Sequence, residues 1–218
     1  MWDYRLYGYA LIAGSLLLVL MGVTHPSGAG FLASREALEY TAAVSRFAHG
    51  SAIAGMLLVA LGLAGLSRFL DPRKPAVLAA FITFAIVTAM GMVAPTIDGF
   101  VIPQLAERWM GAAEPARTTL YQLMAYCVLV ASALTRTYLT LCSFAIVLYS
   151  CAIWQTKTSR RLPWLGIVVA VVSIAAGVGG PPIVSVHELL ALTLGLTAWL
   201  VWAGLILLRA PHEPEQLG

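Results

Sequence analysis

Five ionisable side chains stand at the margins of long apolar runs and a sixth, Arg136, lies inside one, and they are the residues with which this chain could do chemistry. They are His25 in "MGVTHPSG", His49 in "SRFAHGSAIAG", Asp98 in "VAPTIDGF", Arg136 in "LVASALTRTYLTLCSF", and His187 with Glu188 in "IVSVHELLAL". Imidazoles ligate metals and haem iron or carry protons, carboxylates complete a metal site, and a guanidinium holds an anion or a carboxylate. An ionisable group inside a membrane bundle is costly enough that it faces protein, pairs, or serves a function. Asp98 and Arg136 are the expected couple, because pairing offsets part of the desolvation of each. The histidines are then left to bind a ligand or to relay protons.

Three classes of function accommodate such a set. In the first, two histidines from different helices hold a b-type haem or another redox centre, with Arg136 engaging propionates. Covalent c-type attachment is excluded, since the chain has no CxxCH. In the second, His25, His49, His187 and Asp98 supply ligands for a divalent metal that activates water. Here the Ser45-to-His49 spacing of "SRFAH", an Asp on the next span and a His on the last resemble part of the pattern of the ceramidase and progestin-receptor-like membrane hydrolases. That pattern also calls for two histidines four apart on a late helix, where "HELLA" supplies His187 alone. In the third class the pocket takes a small solute, a proton or a lipid head group, in a transporter or an accessory subunit. The breaks at Pro95 and "GVGGPP" fall at span ends, and the two halves of the chain show no repeat.

The elements that must position these residues follow from composition. Of 218 residues, 60% are hydrophobic and 11% charged, and mean hydropathy is +0.87, a balance that belongs to a polytopic membrane protein rather than a water-soluble domain. With no Walker loop, dinucleotide fingerprint or serine elbow, nucleotide chemistry is unsupported. The net charge of +3 reports topology rather than nucleic-acid binding. Cys127, Cys142 and Cys151 lack metal-type spacing and read as small buried apolar residues.

A hydrocarbon core of about 30 Å needs roughly 20 apolar residues per helix. Spans are expected near 5–24, 48–70, 75–97, 162–180 and 185–208, together with a long apolar run from Thr118 to Gln155. If that run crosses once, Arg5, Arg68, Arg73, Lys74, Lys157, Arg160, Arg161 and Arg209 share one side, eight of the thirteen basic residues, and the positive-inside rule makes that side cytoplasmic. The expectation is therefore an all-α integral membrane protein of one domain, 1–218, in a bacterial-type inner membrane with both termini cytoplasmic. It has six transmembrane helices, the fourth at about 134–156, and an extracytoplasmic helical cap at about 104–133.

In that topology all six ionisable residues lie at the outer end. Thr88, Gly91, Pro95 and Asp98 recur at helical spacing and form a small, polar stripe. Ser132, Arg136, Thr140, Ser143 and Ser150 share a second face, His187, Ala191 and Gly195 a third, and His25, Gly22, Leu18 and Ser15 a fourth. Small residues on such faces let helices approach closely in lipid. Pro95 should bend its helix just below Asp98. Tyr4, Tyr7, Tyr9, Trp2, Trp154, Trp164, Trp199 and Trp202 read as interfacial anchors. The resulting picture is a polar pocket of His25, His49, Asp98, Arg136 and His187, with Glu188 at the rim. Haem b or a divalent metal is the candidate cofactor, the lipid bilayer the partner, and a small molecule the ligand.

Overall fold

A computed structural model describes residues 4–26, 34–156, 158–179 and 186–210. The described chain is helical, with α1 over Tyr4–Thr24, α2 over Arg35–Phe69, α3 over Pro75–Gly91 and the single turn α4 over Val93–Thr96. A π-helical segment, Ile97–Val101, leads into α5 over Ile102–Gly111, followed by α6 over Ala116–Thr156, α7 over Leu162–Gly179 and α8 over Val186–Leu208.

Local chemistry sets these boundaries. Ser34 caps α2, its Oγ accepting from the Ala37 N–H at 3.1 Å, and Glu36 lies in the first turn, where the helix dipole favours an anion. After Leu70 the chain reverses through Asp71, whose φ of 74° lies in the left-handed region that Asp tolerates better than most residues. The Asp71 carboxylate accepts from the Arg73 N–H and from its Nε, both at 3.1 Å, and these bonds hold its pKa below the usual carboxylate value. Pro75 then opens α3 at a position where no N–H is needed.

Two helices are longer than the apolar windows of the sequence. Helix α2 starts at Arg35 rather than near 48, because Leu38, Ala42, Ser45 and His49 continue a buried stripe at helical spacing, opposite a mixed face where Arg35, Glu39 and Arg46 alternate with exposed Tyr40 and Phe47. Helix α6 is unbroken from Ala116 to Thr156, with no boundary near 134. It contains neither Gly nor Pro, so nothing in the chain stops it. The segment expected as a separate cap, 104–133, is thus divided between α5 and the first half of this helix.

Five helices among the described residues are long and apolar enough to cross a membrane: Tyr4–Thr24, Arg35–Phe69, Pro75–Gly111, Ala116–Thr156 and His187–Leu208. Leu162–Val178 is a shorter apolar helix. The architecture is that of a multi-pass membrane protein built as a helical bundle.

Packing divides the helices into two groups: α1 lies along α2 and α8, while α6 lies along α3 and α7. Within the first group glycines bring backbones together, as a Cβ on Gly14 would fall 2.7 Å from the Gly55 carbonyl oxygen and one on Gly62 would strike Leu11. At one end, the beginnings of α2 and α6 pack with α5 around Leu38, Ala106 and Met124, flanked by Trp109. Arg46 Nη2 donates to Glu107 Oε1 at 2.9 Å across α2 and α5, and the Arg117 guanidinium lies 4.2 Å above the Trp109 ring.

Two expectations about individual residues change. Trp199 is fully buried beside Tyr149, with ring centroids 6.2 Å apart, and Tyr7 is buried against Gly65, so both are core residues and not anchors. Trp154 and Trp164 do stand exposed and edge to face at 5.1 Å. Of the cysteines only Cys142 is buried; Cys127 is half-buried and Cys151 exposed. An exposed position on an apolar helix is as suitable for a small thiol as a core one when lipid is the solvent.

Candidate functional site

Asp98 lies in the π-helical segment, three residues beyond Pro95. Proline lacks the N–H of a regular ladder, and the widened turn that follows re-aims the carboxylate inward, a frequent use of π-segments. His49 comes from the middle of α2, and His25 directly follows α1. The three converge: His25 Nε2 is 3.1 Å and His49 Nε2 3.2 Å from the same Asp98 oxygen, Oδ2. The two rings stand edge to face with centroids 5.0 Å apart. Exposure of the side chains runs from 5% at His49 through 18% at His25 to 36% at Asp98, so the cluster is open on the carboxylate side.

A second set of contacts orients the rings. His49 Nδ1 is 2.8 Å from the Ser45 carbonyl oxygen and 3.3 Å from Ser45 Oγ. That hydroxyl itself donates to the Asp98 carbonyl at 3.3 Å. His25 Nδ1 is 3.0 Å from the Pro26 carbonyl oxygen. Carbonyl oxygens only accept, so both Nδ1 atoms carry the ring hydrogen, and a neutral imidazole then presents a lone pair at Nε2. Both Nε2 atoms thus face one carboxylate oxygen, an arrangement that positive charge holds together, either as protons on Nε2 that make two ion pairs with Asp98 or as a bound cation.

Gly99 makes the convergence sterically feasible. A Cβ at that position would strike His49 Cβ and lie 2.8 Å from its Cγ. Ser45 is visible in sequence through its spacing to His49, whereas Gly99 carries no signal beyond its place beside Asp98.

Below the cluster a cavity of about 410 Å³ runs between the two helix groups. His25, His49 and Asp98 form part of its wall, and Leu18, Met56, Leu63, Phe84, Ile146 and Leu200 much of the rest. From α8 the cavity meets Leu189, Thr193, Leu196, Thr197 and Leu200, a stripe at helical spacing.

Three of the six residues singled out in sequence come together, and three do not. Arg136 is not paired with Asp98. Its Nη1 donates to the Gly177 carbonyl at 3.5 Å, near the end of α7, where a cation meets both unsatisfied carbonyls and the negative end of the helix dipole. The polar face of α6 that carries it packs on α7, as Gly177 abuts Thr140 and Gly166 abuts Ser150. His187 is exposed, as is Ala191, while Gly195 of the same stripe faces Val169 of α7. Two residues along a helix is about 200° of rotation, so a cavity met by Leu189 is not met by His187. Glu188 is half-buried in the first turn of α8 and does not line the cavity.

Each of the three clustered residues offers one ligand atom, and these atoms lie within 4.8 Å of one another. An ion at about 2.0–2.1 Å from three tetrahedrally disposed donors needs them roughly 3.4 Å apart. Two of the three spacings, Nε2–Oδ2 at 3.1 and 3.2 Å, are near that value, and the Nε2–Nε2 spacing lies within 4.8 Å, so an ion would draw the two rings together. Comparison with protein-family models, with curated proteins and with solved structures gives no match.

Proposed function

We propose that this multi-pass membrane protein is a metalloprotein that binds one divalent transition metal of the zinc type through His25 Nε2, His49 Nε2 and Asp98 Oδ2, with the fourth position facing the cavity. The observation that carries this reading is the convergence of acceptor atoms. Both rings are oriented by Nδ1 contacts to backbone carbonyls, and both Nε2 atoms meet one carboxylate oxygen. Such donation by a ligating histidine's other nitrogen is the usual means of fixing tautomer and orientation at metal sites. Two nitrogens and one oxygen with an open fourth position is the ligand set of a catalytic rather than a structural site, and the chemistry such an ion supplies is polarisation of a bound oxygen.

A haem ligated by both histidines is disfavoured by the same geometry. Rings that aim at one oxygen from 3.1 and 3.2 Å leave no plane between them for a macrocycle.

The topology that supports this reading has six spans in an inner membrane with both ends inside. At 1.5 Å per residue the 35 residues of α2 and the 41 of α6 measure about 52 and 62 Å, well beyond a core of about 30 Å. Their excess lies at the end where α1 finishes, so α5 and the first turns of α2 and α6 form an extracytoplasmic roof over the metal. The test is elemental analysis of the full chain purified in detergent after loading with zinc or cobalt. One ion per chain is expected, with affinity lowered more than about 100-fold in His49→Ala, which loses a ligand, and in Asp98→Asn, which replaces an anionic ligand by a neutral one. A loaded wild type that retains no metal after dialysis overturns the proposal.

A further inference from the structure

The cavity under the triad is a slot rather than a sphere. Leu63 lies fourteen residues along α2 from His49, and Phe84 fourteen residues along the third helical stretch from Asp98. At 1.5 Å per residue both mark a floor about 21 Å from the metal ligands. That depth exceeds the roughly 15 Å of a single leaflet, half of a hydrocarbon core of about 30 Å. The walls between, at Leu18, Met56, Leu139 and Leu196, are apolar, and a volume of about 410 Å³ lies within the range of small-molecule sites, about 300–1,000 Å³. Ser132, Thr135, Tyr138, Thr193 and Thr197 add hydroxyls to this lining, and a partly open, mainly apolar cavity with a few polar groups is the usual character of a small-molecule site.

Charge fixes the other end of the occupant. A divalent ion held by two neutral imidazoles and one carboxylate leaves the site with a net charge of about +1. Among the described residues, Asp98 is the one acidic side chain lining the cavity. In a low-dielectric site that excess calls for an anionic oxygen ligand in the fourth position.

We infer that the cavity seats the hydrocarbon tail of a single-chain amphiphile whose carboxylate head completes the coordination of the ion. This rests on the metal site proposed above. The slot gives tail length, the ion gives head charge, and the three ligands at the slot's mouth join the two.

Cobalt supplies a readout at the ion itself. The full chain, reconstituted in nanodiscs and loaded with cobalt(II), is titrated with acetate, octanoate and palmitate while the ligand-field bands of the cobalt are followed. Palmitate is expected to shift those bands at least tenfold more readily in the wild type than in Ala131→Phe, whose new ring fills the upper slot. Acetate should act equally on both, which separates tail binding from simple partitioning into the bilayer. Phe84→Ala lowers the floor and carries the test without blocking anything: it should improve the response to a twenty-carbon acid relative to palmitate. If palmitate acts alike on wild type and Ala131→Phe, or if Phe84→Ala leaves the chain-length preference unchanged, the inference is overturned while the metal site stands. If the wild type shows no cobalt bands at all, the metal site falls and this inference with it.

Discussion

His25 and His49 stand edge to face, ring centroids 5.0 Å apart, although one follows the end of α1 and the other lies in the middle of α2. Both address Asp98 Oδ2. The contact depends on the close approach of the π-segment to α2, and that approach depends on the absence of a side chain at position 99.

Gly99→Ala should therefore damage the site without replacing a ligand. The added methyl meets His49 Cβ and Cγ, and in a packed interior such an insertion displaces neighbours at a cost of about 1–3 kcal/mol. Displacement of His49 by a fraction of an ångström is expected to weaken cobalt binding about 10–100-fold. A cobalt titration and a thermal melt of the same sample separate the two effects. An affinity equal to wild type would show that Gly99 does not set the position of His49.

Ser45→Ala tests the orienting contacts. The carbonyl that receives the His49 Nδ1–H survives this change, so the ring keeps its tautomer. What is lost is the hydroxyl donated to the Asp98 carbonyl, a hydrogen bond worth about 0.5–1.5 kcal/mol. The expected result is a milder defect than that of Gly99→Ala, near tenfold in cobalt affinity. A full loss of binding would place Ser45 among the ligands instead.

Arg136→Met separates two roles for the guanidinium. A side chain paired with Asp98 would alter the metal site when removed, whereas one seated on the end of α7 would alter stability alone. The bond to the Gly177 carbonyl favours the second. Thermal unfolding in detergent should show a loss of up to about 2 kcal/mol, the upper range for a cation at a helix C-terminus. Cobalt affinity should stay within about twofold of wild type. A tenfold change in affinity would return Arg136 to the pocket.

How much of this was legible in the sequence differs between the helices and the site. Apolar runs announce α1, α7 and α8 directly, because lipid demands continuous apolar length. The start of α2 was hidden, since a helix that leaves the apolar layer keeps only a narrow stripe such as Leu38, Ala42 and Ser45. His25, His49 and Asp98 were visible as ionisable groups in costly places, and Pro95 foretold a break near Asp98. Which partners they meet was not visible. Helical spacing places Arg136 and His187 on polar stripes, yet only rotation of each helix in the bundle decides whether a stripe faces the cavity or α7. The slot down to Leu63 and Phe84 had no signal at all, since cavity-lining and close-packed leucines look alike in sequence.

The orientation of the bundle can be read chemically. Glu114 lies in the turn between α5 and α6, at the end that bears the triad, and Arg160 lies in the turn between α6 and α7 at the other end. Single cysteines introduced as Glu114→Cys and Arg160→Cys, with Cys127, Cys142 and Cys151 replaced by alanine, give one reporter for each side. If the basic turns face the cytoplasm as the positive-inside rule requires, a membrane-impermeant maleimide labels position 114 in intact spheroplasts and position 160 only after permeabilisation. The reverse pattern would turn the triad toward the cytoplasm, and the ion would then be drawn from a compartment with a different supply of free metal. Labelling of both positions from one side would mean that α6 does not cross at all, and the roof over His25, His49 and Asp98 would have to be rebuilt.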